Sequence, residues 1–330
     1  MDLNLSSTLP TEADSVLVPT GEDGVFNFRC DNSTLEKFQY CQREGQYYVW
    51  ERRTGATTSA LNLGSALHNA WELLYLHGFS HDTLELCQQK IIDHYNLFPI
   101  TDEWRTCEFA LNVIQRYYEH YSDSETLLPI THNGNLFVEN AFEIKMGEIE
   151  VNDTIICPIA GPTFVKKLMI YWIGKIDIAT SFMGGVWALD HKTTSRLGNT
   201  FWDKFQISSQ MLGYNWALWK ILGELPKGVI LNVAALRKPT KTGKCVEFMR
   251  QTYPYTEEQI LEWKEDTLTS ISDFISSSIR NYFPPSKCNC IRVYGKCGYF
   301  DVCSLAKSSR KLMLKSSNYV PVTWDPTKEG

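Results

Sequence analysis

Between Leu168 and Ser195 the chain reads LMIYWIGKIDIATSFMGGVWALDHKTTS, and this stretch restricts the possible folds more than any other. Ile, Tyr and Trp crowd the run from Met169 to Ile178, which suits a half-buried pleated strand better than a helix. Gly184-Gly185 marks a tight turn, and Val186-Trp187-Ala188-Leu189-Asp190 reads as the returning strand. Acids then stand where apolar residues should continue. Asp177 closes the first run and Asp190 the second, with His191 and Lys192 behind it. Adjacent antiparallel strands bring such residues within a few ångströms, so two carboxylates and one ammonium are expected to share a pocket. Side chains alternate along a strand, so Asp190 and Lys192 face one way and the His191 side chain the other. The His191 backbone carbonyl is still free to face the pocket.

Two neighbouring carboxylates repel, and a divalent cation removes that cost. Mg²⁺ and Mn²⁺ favour oxygen donors, usually one or two carboxylates with phosphate and water. Asp177, Asp190 and the His191 carbonyl are therefore candidate metal ligands. Lys192 is placed to orient or deprotonate a water and to stabilise charge on a phosphate. These are the parts of metal-assisted phosphodiester hydrolysis. An Asp-x-Lys triplet alone is more often a solvated salt bridge, so the flanking sequence has to decide.

Residues 1–25 are polar and carry Pro10 and Pro19, as a loose arm would, with a short strand around Val16-Leu17-Val18. Ser33-Thr34-Leu35-Glu36 has the form of a capping box, opening a helix through Cys41 to Arg53 with a break at Gly45. Arg43, Tyr47 and Tyr48 follow Cys41 closely. A helix over 59–76 carries Gly64 and His68, four apart and so on one face. A glycine one turn before the imidazole lets a backbone or a nucleic acid approach. Periodicity predicts further helices over 82–95 and 102–121, then strands over 136–144 and 149–159. Glu139 and Glu143 lie in the first of these strands, within possible reach of the acidic pocket. A long helix over 200–222 puts Gln210 and Tyr214 on one face, where an amide and a hydroxyl can meet a phosphate, a base edge or the lysine. Strands over 228–235 and 245–253 are joined by a hairpin with Arg237, Lys238, Lys241 and Lys244, cations suited to a phosphate backbone or to plain solvation. A final amphipathic helix covers 256–282.

Four of the ten cysteines, Cys288, Cys290, Cys297 and Cys303, are packed into one short stretch near the C-terminus. Thiolates at such spacing bind zinc or an iron–sulfur cluster. Two arrangements stay open: a local zinc site of all four, or three of them joined by the distant Cys41. The opening residues show neither a basic nor an apolar leader region, and no apolar run is long enough to span a membrane. With ten cysteines, a reducing, cytoplasmic setting is expected. A formal charge of −6 speaks against a nonspecific DNA coat but allows a local basic channel.

In this order the motifs resemble the RecB-family nucleases of the PD-(D/E)xK superfamily. The similarity is greatest to the iron–sulfur branch that includes AddB, the CRISPR-associated RecB-like exonucleases and phage homologues. It spans roughly Asn32 to Ser304. The family's Cys-Pro-Arg with aromatics is matched by Cys41-Gln42-Arg43 with Tyr47 and Tyr48, Gln42 standing where Pro is usual. Its Gly-x-x-x-His helix is matched by Gly64 to His68, and its Gly-x-x-Asp by Gly174 to Asp177. Its Asp/Glu-x-Lys strand is matched by Asp190-His191-Lys192, and its Gln-x-x-x-Tyr helix by Gln210 to Tyr214.

The resemblance implies an α/β fold, a restriction-endonuclease-like core with a mixed sheet flanked by helices, a helical N-terminal insertion and a C-terminal Cys cluster. It implies His68, Asp177, Asp190 and the His191 backbone carbonyl as ligands of Mg²⁺ or Mn²⁺, with Asp177, Asp190 and Lys192 catalytic. Gln210, Tyr214, Gly64 and Arg43 would contact substrate. A [4Fe–4S] cluster would sit on Cys41, Cys290, Cys297 and Cys303, with Cys288 the fallback for Cys290 and zinc the less expected occupant. The activity implied is that of a DNA exonuclease on single-stranded DNA or DNA with free ends, in a bacterial or phage-infected cell. A catalytically silent DNA-binding or assembly subunit of the same fold is the alternative. No helicase motif is present, so the expectation is a stand-alone nuclease or a subunit, and a helicase, recombination or CRISPR-type protein is the kind of partner a subunit would have. The expected organisation is an arm over 1–25, one nuclease domain over 26–310 and a tail over 311–330. Within that domain, 56–130 would be helical, 131–255 the catalytic sheet, and 256–310 the closing helix and Cys cluster.

Overall fold

The computed structural model describes residues 16–99, 101–157, 161–240, 243–292 and 295–322. Most of the expected N-terminal arm, residues 1–15, and Lys241 of the basic hairpin lie outside the described residues. The chain opens with two short strands, β1 (Leu17–Pro19) and β2 (Val25–Cys30), the second of which the sequence did not announce. Helix α1 (Asn32–Tyr40) is capped two residues earlier than the Ser33 box suggested. The Asp31 carboxylate accepts from the N–H groups of Ser33 and Thr34, both at 3.1 Å. A carboxylate at this position satisfies two otherwise orphaned donors, which leaves Ser33 inside the helix.

The helix does not continue to Arg53. Cys41 turns extended, φ −164°, before a short helix α2 (Gln42–Gly45) and a π-helical turn over Gln46–Trp50. Gly45 is what allows α2 to fold back, because a Cβ there would lie 2.5 Å from Phe38 Cβ. Strand β3 (Arg53–Gly55) follows, then helices α3 (Ser59–His77), α4 (His81–Leu97) and α5 (Cys107–Tyr121), each opened by a Thr or Ser cap. After the two-residue strands β4 (Thr131–His132) and β5 (Asn135–Leu136) comes β6 (Val138–Cys157). The expected break near Gly147 is absent, because the missing side chain makes room for Leu268, whose Cδ1 would lie 3.0 Å from a Cβ. Strands β7 (Gly161–Phe182) and β8 (Gly185–Thr194) form the predicted hairpin, with Met183 and Gly184 at positive φ in its turn.

The long helix expected over 200–222 is broken into α6 (Asn199–Asp203), a 3₁₀ turn and α7 (Ser209–Leu222). The carbonyls released at the break are taken up by tyrosine hydroxyls, Tyr253 on Trp202 and Tyr255 on Phe205. Strands β9 (Gly228–Leu236) and β10 (Val246–Pro254) and helix α8 (Glu257–Ile279) follow as predicted. The C-terminal stretch carries β11 (Ile291–Arg292), β12 (Gly295–Lys296), α9 (Phe300–Cys303), α10 (Lys307–Leu314) and β13 (Tyr319–Pro321). The region read as a tail therefore includes regular structure up to Pro321.

Two compact units are built from these elements. One comprises residues 1–56, 142–174 and 264–330, the other 57–141 and 175–263. In the first, β2 runs parallel to β7 from Val25↔Lys167 to Cys30↔Trp172. Its core includes Phe38 stacked on Phe274 at 4.8 Å and Trp50 donating to Ser278 Oγ at 2.8 Å. Segments far apart in the chain also meet there, because β13 pairs with β3 antiparallel.

The second unit holds a mixed sheet. The β7–β8 pair is antiparallel, β8–β9 parallel and β9–β10 antiparallel. Strand β9, GVILNVAAL, is buried along its whole length, which a strand with both faces covered must be. Leu67, Trp71 and Leu74 of α3 and Val113, Ile114 and Tyr117 of α5 pack on Trp187, Leu189, Ile230 and Ala234 of that sheet.

A candidate active site at the end of the β7–β8 ladder

The β7–β8 ladder runs from Phe182↔Gly185 to Ile178↔Leu189. One residue past its end, the Asp177 carboxylate accepts the His191 backbone N–H at 2.8 Å. Alternation along β8 sends Trp187, Leu189 and His191 toward α3 and α5. Asp190 and Lys192 take the other face, where Lys192 Nζ lies 2.8 Å from Asp190 Oδ2 and 3.0 Å from Oδ1. Only Oδ1 receives a directed hydrogen bond, which leaves the buried Oδ2 with lone pairs for a cation.

Helix α3 brings His68 in from the side. Leu63, Leu67, Ala70, Trp71 and Leu74 bury one stripe of the helix, and His68 borders it with Gly64 one turn before. The imidazole Nδ1 is 3.6 Å from Asp177 Oδ2. The space above Gly64 is met by Thr193 Oγ1, which would lie 3.3 Å from a Cβ, so in this chain the glycine admits the end of β8. Gly174 of the Gly-x-x-Asp motif has a like reason, since the Phe142 ring would come within 2.6 Å of a Cβ.

On α7, Gln210 Nε2 donates to the Tyr214 hydroxyl at 2.9 Å. Burial, followed by the charges of Asp190 and Asp177, raises the Tyr214 hydroxyl well above its usual range, so this pair borders the carboxylates. Arg43 is placed differently. It sits in α2 next to Cys41, in the other unit, where its charge acts on Tyr47 and Cys303.

The two aspartates are driven apart electrostatically. Burial pushes Asp190 up to about 7; Asp177 adds to the shift and Lys192 opposes it. Asp177 is also buried, but His68, the His191 side chain and Lys192 outweigh burial and hold it below the carboxylate range. Desolvation lowers His68 to about 4 against the pull of Asp177, although 32% of its side chain stays exposed. His68 is therefore neutral at pH 7, the form that ligates a metal.

A third carboxylate was only glimpsed in the sequence. Phe137 donates to the Ile130 carbonyl at 2.9 Å and its own carbonyl accepts from Ala179 at 3.1 Å, which lays the start of β6 beside β7. Glu139 then reaches the site, with Lys175 Nζ 3.1 Å away, while Glu143 goes to Arg29 at 3.0 Å. Ligand atoms of His68, Glu139 and Asp177 lie within 4.8 Å of one another, the one such group found among the described residues. One imidazole nitrogen with carboxylate oxygens is a donor set that fits Mg²⁺ or Mn²⁺.

Behind His191 lies a network that no local pattern reveals. The His191 ring stacks on Trp71 at 4.8 Å and meets Tyr75 edge-on at 5.5 Å. Tyr75 donates to Glu125 at 2.7 Å, and Arg250 pairs with the same carboxylate at 2.5 Å. Arg250 Nε also reaches Asn232 at 3.2 Å, on the β9 residue opposite His191.

The remaining candidates lie elsewhere. In the basic hairpin, Arg237 pairs with Glu247 at 3.4 Å and Lys238 with Glu103, so both cations already have acidic partners. In the first unit, Cys41 Sγ accepts the Ser286 N–H at 3.3 Å, next to the C-terminal cysteines in space. Cys297 and Cys303 pack against Tyr47, Tyr299, Val302 and Tyr319. Cys290, Cys297 and Cys303 are half-buried and Cys288 is exposed. No helix among the described residues is long and apolar enough to cross a membrane.

No curated protein matches the chain. A solved structure from Eubacterium rectale, named "putative exonuclease", is similar at 16% identity over 93% of this chain and 95% of that one, with a TM-score of 0.46. Residues 32–304, which include every residue of the Asp177–Asp190–Lys192 site, match the PD-(D/E)XK nuclease superfamily. With its mixed sheet flanked by helices and its strand–Asp, strand–Asp-x-Lys arrangement, this chain belongs to the PD-(D/E)XK nuclease superfamily.

Proposed function

We propose that the protein is a divalent-metal-dependent deoxyribonuclease that works as an exonuclease on single-stranded DNA or on DNA with free ends. The observation that supports this is the convergence of Asp177, Asp190, Lys192 and His68 from β7, β8 and α3. A silent DNA-binding subunit would have no need of this ammonium–carboxylate arrangement. Bound Mg²⁺ or Mn²⁺ would supply Lewis acidity at a phosphoryl oxygen and lower the pKa of a water. Asp177, Asp190, neutral His68 and the His191 carbonyl would hold it. Lys192 then orients the attacking water and offsets charge on the phosphate, once its hold on Asp190 loosens. Gln210 and Tyr214 border the carboxylates and would brace Lys192 or grip a phosphate. End-labelled single- and double-stranded DNA, incubated with and without Mg²⁺, tests the reading. Purified Asp190→Asn that cut DNA at the wild-type rate would defeat it.

We infer in addition that Cys41, Cys290, Cys297 and Cys303 carry a [4Fe–4S] cluster, as in the iron–sulfur branch of the RecB-like nucleases. The position of Cys41 beside Ser286, far from it in sequence, supports this, as does the exposure of Cys288. Anaerobically purified protein should be brown with stoichiometric iron. Colourless protein holding stoichiometric zinc would reject the cluster.

A further inference from the structure

We propose that Glu139 is a protein ligand of the divalent cation at this site, and that Lys175 takes the cation's place while none is bound. The proposal rests on the metal-dependent reading above and adds to it a residue outside the Asp177–Asp190–Lys192 set. His68, Glu139 and Asp177 offer ligand atoms that all lie within 4.8 Å of one another. Asp190 is not in this group; Lys192 holds it, at 2.8 Å. The donors thus divide into a His68–Glu139–Asp177 side and an Asp190–Lys192 side. One imidazole and two carboxylates suit Mn²⁺ well, and Mg²⁺ less well because of the nitrogen.

Backbone pairing fixes where Glu139 stands. The Phe137 carbonyl accepts from Ala179, two residues beyond Asp177 on β7, and Glu139 comes two residues after Phe137. Glu139, whose backbone takes a positive φ of 48° there, comes with its carboxylate within 4.8 Å of a ligand atom of Asp177. Its side chain is 17% exposed, which is unusual for an acid with only a surface role. Lys175 and Asp177 are two apart on β7 and so share a face. The ammonium of Lys175, 3.1 Å from Glu139, thus offsets part of the repulsion between the two carboxylates. A divalent cation between them would offset more, and would release Lys175.

The consequence is a competition that direct binding measures without catalysis. Mn²⁺ is titrated into the full chain without DNA, followed by calorimetry and by the Mn²⁺ paramagnetic resonance signal, with circular dichroism as the check on folding. Glu139→Gln should weaken Mn²⁺ binding about ten-fold or more, as loss of a ligand does at least as much as loss of an outer partner. Lys175→Met should tighten it several-fold, because the competing ammonium is gone. Wild-type Mn²⁺ affinity in folded Glu139→Gln overturns the proposal, and so does unchanged or weaker binding in folded Lys175→Met. His68→Ala and Asp177→Asn separate the two levels. If they lose Mn²⁺ while Glu139→Gln keeps it, Glu139 is no ligand and the nuclease reading stands. If they too keep it, the metal site of the nuclease reading falls with the proposal.

Discussion

The Asp177 carboxylate accepts the backbone N–H of His191 at 2.8 Å, one residue past the last ladder pair of β7 and β8. A side chain thus continues the strand pairing where the backbone ladder ends. It locks one carboxylate of the site to the strand that carries Asp190 and Lys192. The site's geometry is therefore built into the sheet rather than into a loop, and the following expectations derive from that.

Lys192→Ala should lower the rate of cleavage by about 10²–10⁴-fold, the range for a positioned proton-transfer or water-orienting group. The fold should be retained, because the Lys192 side chain is still 25% exposed. Asp177→Asn and Asp190→Asn should be at least as damaging, because each removes a ligand charge. Single-turnover kinetics on end-labelled DNA, with circular dichroism alongside, read both. A Lys192→Ala enzyme within a few-fold of wild type would exclude the assigned role.

Stability without metal should fall as pH rises from about 4 to 8. Burial raises Asp190 to about 7, and burial together with Asp177 raises Glu139 to about 8. Unfolded carboxyls titrate near 4, so the folded chain binds more protons between about pH 4 and 8, loses stability across that whole window and levels off above it. His68 acts with the opposite sign. Its value falls to about 4, so its contribution is present above about pH 6.5 and is lost as pH drops. Thermal melts in chelator from pH 4.5 to 8.5 should show the decline, partly offset by His68 below about pH 6.5. Added Mn²⁺ should flatten the alkaline side, because a cation replaces the proton.

Arg250→Ala should cost about 3–5 kcal/mol of stability, the range for removing one partner of a buried ion pair. Glu125 is only 3% exposed in its side chain and would be left with the Tyr75 hydroxyl and the Leu127 N–H as neutral partners for its charge. Denaturant unfolding measures the loss. A midpoint within error of wild type would show that the network behind His191 contributes little.

Cys41→Ala should bleach the protein and strip its iron, although Cys41 is remote in sequence from Cys290, Cys297 and Cys303. Cys288→Ala should leave the colour intact, since Cys288 is exposed and, among the described residues, hydrogen-bonds to Ser286 Oγ at 3.3 Å. Iron and zinc analysis of the two variants after anaerobic purification discriminates. Zinc held stoichiometrically by Cys41→Ala would favour a local site of the four C-terminal cysteines.

The sequence by itself determined the strand hairpin, the positions of its acids and the order of motifs, and from these the superfamily. Each depends on local rules. Ile, Tyr and Trp choose the strand, Gly184 takes the positive φ of the turn, and period-two alternation sends Asp190 and Lys192 to one face. Helices α3, α4, α5 and α8 were legible for the same reason, being long and strongly periodic. What only the tertiary structure decided depends on partners far along the chain. Asp31 outcompetes Ser33 as a cap because of its geometry in three dimensions, and helix 200–222 breaks where Tyr253 and Tyr255 take its carbonyls. Glu139 and Glu143 look alike in sequence. The Phe137–Ala179 pairing brings the first to Asp177, while Arg29 takes the second. Gly64 admits Thr193, and Arg43 ends among the cysteines. A local pattern fixes which way a side chain faces, but only the register of distant strands fixes what it faces.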